Sequence, residues 1–224
     1  MNDPQDSKRE GFISRVKTEL VHHAPFTAAG AASGILLMIF FSGMSSKTAL
    51  GIFNVFHPAH VFLSAMVTSA LYQLYRCGRL KGKCALAGLL AVGYIGSVGI
   101  ATISDSLIPY LGELMLGLPH PHAHIGYIEE WHIINPVAFA GIALAYFAPY
   151  TKFPHAGHVL LSTWASLFHI ISAGGNMGPA SYAVVFIFLF IAVWVPCCVS
   201  DIVFPLLFVG DGGSNAHSGA GYHH

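Results

Sequence analysis

Six stretches of apolar sequence, each close to the roughly 20 residues that carry a helix across a bilayer, constrain this chain more than any other feature. They run over residues 25–46, 57–76, 84–105, 133–150, 155–173 and 180–209. Between them lie polar or helix-breaking segments: Ser45-Ser46-Lys47, Arg76 to Lys83, a Pro/His-rich stretch at 118–130, Thr151-Lys152 and Gly174-Gly175-Asn176. Composition points the same way, with 9% of residues charged and 54% hydrophobic, whereas about a quarter of a soluble domain is charged. The pattern predicts an all-α integral membrane protein of about six transmembrane helices embedded in the lipid bilayer.

The charges set an expected orientation. Lys8, Arg9, Arg15 and Lys17 precede the first span, and Arg76, Arg79, Lys81 and Lys83 join the second to the third. Cytoplasmic segments are enriched in Lys and Arg, so both regions, and the N-terminus with them, are expected in the cytoplasm. The segment 1–24 has no short apolar core followed by a small-residue cleavage site and reads as a retained cytosolic arm. The remaining divisions are a first membrane repeat (25–117), an external His/Pro-rich loop (118–132), a second membrane repeat (133–209) and a flexible Gly/Ser-rich tail (210–224). A formal net charge of zero gives no footprint for nucleic acid. Self-association of two bundles is compatible with this composition. The four cysteines, Cys77, Cys84, Cys197 and Cys198, have neither CxxC spacing nor a secreted disulfide pattern. They read as packing residues, with Cys197 a candidate soft ligand one turn from Asp201.

Histidine is the outlier, with 14 in so apolar a chain. Its placement repeats. HPAHVFLS from His57 and HAGHVLLS from His155 share His-x-x-His-Val-x-Leu-Ser, at an offset of 98 residues (155 − 57). Farther on, SDSLIP around Asp105 answers to SDIVFP around Asp201, at an offset of 96 (201 − 105). A weaker match aligns Pro25 to Gly30 (PFTAAG), preceded by His22 and His23, with Pro136 to Gly141 (PVAFAG), preceded by Glu130 and His132. Each copy holds three spans. An odd number inverts the second copy relative to the first, a plan that recurs in secondary transporters.

Residues three apart share a helix face, so His57/His60 and His155/His158 can each close on one ion. Pro58 and Pro154 suit a first helical turn, which places both pairs at helix beginnings. Asp105 and Asp201 then fall about 20 residues into the next span and return to the level of their own pair. Glu130 and His132 are expected to join His57, His60 and Asp105 at the outer end, while His22 and His23 join His155, His158 and Asp201 at the inner end. A helix N-terminus disfavours a cation, but it also keeps imidazole neutral and able to coordinate. Ser64 and Ser162 lie seven residues into each motif and are either support for ligands or packing residues. His122 and His124, with His120, can gather metal in the external loop, and His169 marks a path between sites if it points inward.

Nitrogen and oxygen ligands around an open position suit a divalent transition metal, zinc or iron foremost, and argue against calcium or magnesium. Two equivalent ligand sets at opposite ends are what a metal ion transporter needs. The alternative is a membrane-embedded metalloenzyme, hydrolase-like, in which zinc or iron activates water against a lipid or small substrate. The Ser, Asp and His combination resembles that of ceramidase-type intramembrane hydrolases only loosely, because their His-x-x-x-His is His-x-x-His here. Haem ligation fares worst, since both imidazoles of an HxxH would lie on one side of a porphyrin.

Overall fold

The computed structural model describes residues 4–41, 43–77, 86–148, 152–175 and 177–199, with side chains described throughout these except at 4–16, 18, 19, 22, 75–77, 152–155 and 198. The described residues are helical, with no strand among them. The long helices are α1 (Pro4–Phe40), α2 (Ser46–Cys77), α3 (Leu86–Leu116), α4 (Trp131–Phe147), α5 (Lys152–Ser172) and α6 (Pro179–Cys198), with a single helical turn at Gly126–Glu129. Four segments are long and apolar enough to cross a membrane: His23–Phe40, Ser46–Leu74, Leu86–Leu116 and Pro179–Cys197. α4 is an apolar helix of 17 residues. α5 is more polar, because its Ser, Thr and His side chains turn inward among its neighbours and need not suit lipid.

Three boundaries differ from the sequence-based expectation. α1 runs unbroken from Pro4, taking in most of the arm assigned to 1–24, and ends at Phe40. α2 begins at Ser46, so Pro58 lies inside the helix and not in its first turn. Residues 46–56 include Phe53, Val55 and Phe56, and this apolar content continues the helix upstream of the motif. α3 extends to Leu116, which moves Asp105 from the expected end of a span to its interior.

Contacts fix how the helices run. α2 and α5 are antiparallel: Phe53 meets His169, Phe56 meets Trp164, His60 meets His158, and Leu63 meets Gly157. α4 runs parallel to α2, as Val61 packs with Ile134 and Ala138, Ala65 with Ile142, and Ala70 with Ala145. α1 runs parallel to α5, since Gly30 faces Leu160 and Thr163 while Met38 packs with Leu167 and Ile170. α6 is antiparallel to α1, joining Trp194 to the Leu20 carbonyl at one end and Leu189 to Gly34 farther along. α2 and α5 therefore form the central pair.

Large apolar side chains face outward while a polar cluster sits inside the apolar core. Leu36, Phe40, Phe147 and Met115 are 68–81% exposed, while His57, His60, Asp105, Glu113, His158 and His169 are at most 1% exposed. Apolar exposure costs nothing against lipid, whereas buried polar groups there need partners. Long apolar helices and a polar interior together define a helical membrane protein.

α3 also changes pitch. Residues Ile95–Gly99 and Ile103–Leu107 are π-helical. Each wide turn holds a run of three consecutive buried residues, Gly96-Ser97-Val98 and Ser104-Asp105-Ser106. Such turns frequently mark functional sites.

Candidate metal centre

Asp105 is the hub. Its Oδ2 lies 2.9 Å from His57 Nδ1 and 2.7 Å from His60 Nδ1. Its Oδ1 accepts from Ser104 Oγ at 2.7 Å and from Ser162 Oγ at 2.8 Å. Four donors saturate an ionised carboxylate, whose two oxygens offer about four acceptor sites. The Nδ1–H tautomer that this requires leaves both Nε2 atoms as lone-pair donors, an assignment that follows from the hydrogen-bond network. An ionised carboxylate at membrane depth is costly without a counter-charge, which a protonated imidazole or a bound metal ion would supply.

His60 shows where a cation fits. Its Nε2 is buried and has no hydrogen-bond partner among the described residues. Its ring stacks on that of His158 at 5.6 Å between centroids. Donor atoms of His60, His158 and Cys197 all lie within 4.8 Å of one another, so the three can hold a metal ion. Two imidazoles and a thiol suit zinc's preferred nitrogen and sulfur ligands, and a carboxylate on the outer nitrogen of a ligating His fixes its ring and raises its basicity. α2, α5 and α6 each contribute one donor, and α3 contributes the supporting carboxylate.

The two HxxH motifs therefore adjoin. His158 lies against His60, not at the opposite end of the bundle, because α2 begins eleven residues before His57 and carries the motif to mid-helix. That start also removes the dipole objection for His57 and His60, which stand clear of the first turn. The side chains of His22 and His155, and all of Asp201, lie outside the described residues. His23 is half-buried on α1. His132 does not join the centre: it is exposed and packs edge-on against Trp131.

Within the loop 118–130, His124 and Gly126 turn inward. His124 is buried, with Nδ1 2.6 Å from Glu129 Oε2 and Nε2 3.9 Å from Glu130 Oε2. Burial pulls the His124 imidazole below its ordinary pKa, opposed by Glu129, and keeps it neutral. Burial pushes the Glu130 carboxyl upward, opposed by His57 and His132. His120 is exposed, and its backbone N–H donates to the Ala173 carbonyl. Phe53, fully buried, stacks on His57 at 5.2 Å and meets the edges of His124 and His169, each at 5.1 Å.

Glu113 was not among the sequence-predicted ligands, yet it is fully buried. Its Oε1 lies 2.6 Å from His169 Nδ1, and its Oε2 accepts from the His122 backbone N–H at 3.1 Å. The His122 and His169 rings stack at 4.7 Å. Donor atoms of Glu113, His122 and His169 also lie within 4.8 Å of one another. The sequence signal was a lone acid in an apolar run, whose partner is remote in the chain. Of the two serines of the repeated motif, Ser162 supports Asp105, while Ser64 Oγ is buried with no hydrogen-bond partner among the described residues.

No protein family, curated protein or solved structure matches the chain. What fold and site define is a class: a helical membrane protein with buried His, Cys, Asp and Glu groups positioned to hold a metal ion.

Proposed function

We propose that this protein is a metal ion transporter, carrying a divalent transition metal, zinc or iron foremost, through a bundle of two inverted three-helix repeats. The observation that carries the reading is the meeting of His60 and His158 beside Cys197 at the crossing of α2 and α5. Those two histidines are corresponding positions of the repeated motif, so one ion is held jointly by both halves, on the line that relates them. Alternating access needs a site of this kind, shared by two halves that rock against each other.

Paired contacts support the inverted repeat. Gly30 of α1 faces Thr163 and Leu160 of α5, and Gly141 of α4 faces Ala65 and Phe62 of α2. Removing the motif offset of 98 residues turns Thr163 and Leu160 into positions 65 and 62. Gly30 and Gly141 are themselves aligned in the weakest of the three sequence matches. The antiparallel crossing of α2 and α5 and the alternating helix directions also fit inversion. Lys and Arg before α1 and after α2 orient both regions toward the cytoplasm.

The test is zinc or iron(II) uptake into proteoliposomes containing the full chain. Flux lost in both His60→Ala and His158→Ala is the expected result. Stoichiometric metal binding without flux would instead favour the metalloenzyme, and flux untouched by either substitution would overturn the shared site.

A further inference from the structure

We infer that the loop at 118–130 is a gate over the metal centre and that Glu113 holds it shut. The inference rests on the reading of His60 and His158 as metal ligands, and adds the route by which an ion reaches them.

The loop stands between the exterior and the Asp105 network at its end of the bundle. Its outer face is exposed at His120, Tyr127, Ile128 and Glu129, while beneath it His57, His60 and Asp105 are at most 1% exposed. Closure is tight. A Cβ added at Gly126 would stand 2.7 Å from His57 Nε2, so only glycine seats the loop on that nitrogen. His57 in turn shares Asp105 Oδ2 with His60, so the cover ends one carboxylate oxygen away from a ligand. Phe53 fills the layer below, its ring 5.2 Å from that of His57 and 5.1 Å from those of His124 and His169. An ion entering from this end must displace the loop.

What fastens so close a cover is slight. Among the described residues, two hydrogen bonds tie residues 119–125 to the long helices and the turn that ends α5: His120 N–H to the Ala173 carbonyl at 3.0 Å, and His122 N–H to Glu113 Oε2 at 3.1 Å. The first lies at the rim, where His120 is exposed. The second is anchored at depth by a fully buried acid that also holds His169 Nδ1 at 2.6 Å. Glycines bracket the segment: Gly117 is left-handed, with φ 62°, and Gly126 opens the single helical turn. Lids that pivot on a few residues at the ends of elements gate many buried sites. Releasing Glu113 from His122 frees this one.

Zinc entry and release in the full chain in detergent, followed by stopped-flow with a chromophoric zinc indicator, test the gate. The phase belonging to the centre is the one that His60→Ala abolishes. Two variants loosen the loop without touching a ligand: Glu113→Gln leaves one accepting oxygen for two donors, and Gly126→Ala props the loop off His57. Both should speed entry and release together by about tenfold, the effect of freeing one buried hydrogen bond on an opening equilibrium, with Kd within a few-fold of wild type. Hydrogen exchange without metal should quicken at 118–125 in both variants while α2 and α5 stay protected, which also shows that the fold is intact. Zinc bound at wild-type rates in both variants would overturn the gate, as would faster entry with no change in exchange at the loop. A wild type that takes up no zinc would instead overturn the central site, and the gate with it.

Discussion

The Asp105 and Glu113 clusters use the same residue types and keep opposite hydrogen-bond accounts. Glu113 is engaged on both oxygens, by His169 and by the backbone of His122, and fastens the loop at 118–125 to α3 and α5. Asp105 is engaged as fully, but the imidazoles it binds point a second nitrogen onward, and His60 Nε2 finds no hydrogen-bond partner among the described residues. A closed account makes a latch; an open one makes a ligand. Spacing alone would not separate them, because the Glu113 cluster and the His60, His158 and Cys197 group that Asp105 supports both meet the distances a metal requires.

Substitutions can break this contrast, and their expected effects span a wide range. Deleting the open nitrogen is the most damaging: His60→Ala should weaken zinc binding on the order of a hundredfold or more, since it removes a ligand and not merely its support. Asp105→Asn should follow, with a loss of about 10–100-fold in affinity read by isothermal titration, because both imidazoles lose the charge that orients them. Glu113→Gln should behave differently in kind. Thermal unfolding in detergent should reveal a cost of about 1–3 kcal/mol, the penalty for disrupting a buried hydrogen-bonded group, while zinc affinity at the central site stays within a few-fold. If Glu113→Gln instead matched Asp105→Asn in affinity loss, the distinction between latch and ligand would fall. The smallest effect belongs to Ser162→Ala, which leaves Ser104 on the same carboxylate oxygen and should cost about 0.5–1.5 kcal/mol of stability.

The sequence disclosed part of this. The helical class followed from apolar length, although four of the six expected spans are long and apolar enough to cross a membrane among the described residues, and the return of Asp105 to His57 and His60 followed from helical rise, because both depend on local geometry. What remained hidden depended on packing between remote segments. Pro58 suggested a helix start, but Ala49 and Phe53 pack against α5 and extend α2 through residues that a polar Ser-Ser-Lys beginning had obscured. The meeting of His60 with His158 required knowing that α2 and α5 cross at the motif. Glu113 has no repeat mate, and His169 lies 56 residues away in the chain, so their ion pair left no spacing to read. His132 looked equivalent to His124 by chemistry, yet the turn at Gly126–Glu129 buries one and leaves the other outside.

The wide turns of α3 carry a consequence for the chain as a length of thread. A π turn takes up one more residue than an α turn over nearly the same rise, so α3 stores surplus sequence on either side of Ile100–Thr102. Removing a single residue between Ile95 and Gly99 would let the helix relax to ordinary pitch without tearing the bundle apart. Everything beyond the deletion would then keep its facing, because the residue removed is the one the wide turn had absorbed, and the carboxylate would still meet both imidazoles. The same deletion in the ordinarily wound stretch between Leu86 and Tyr94 would turn everything beyond it by about 100° and carry the acid away from its partners, so the wide turns are where this helix tolerates a lost residue.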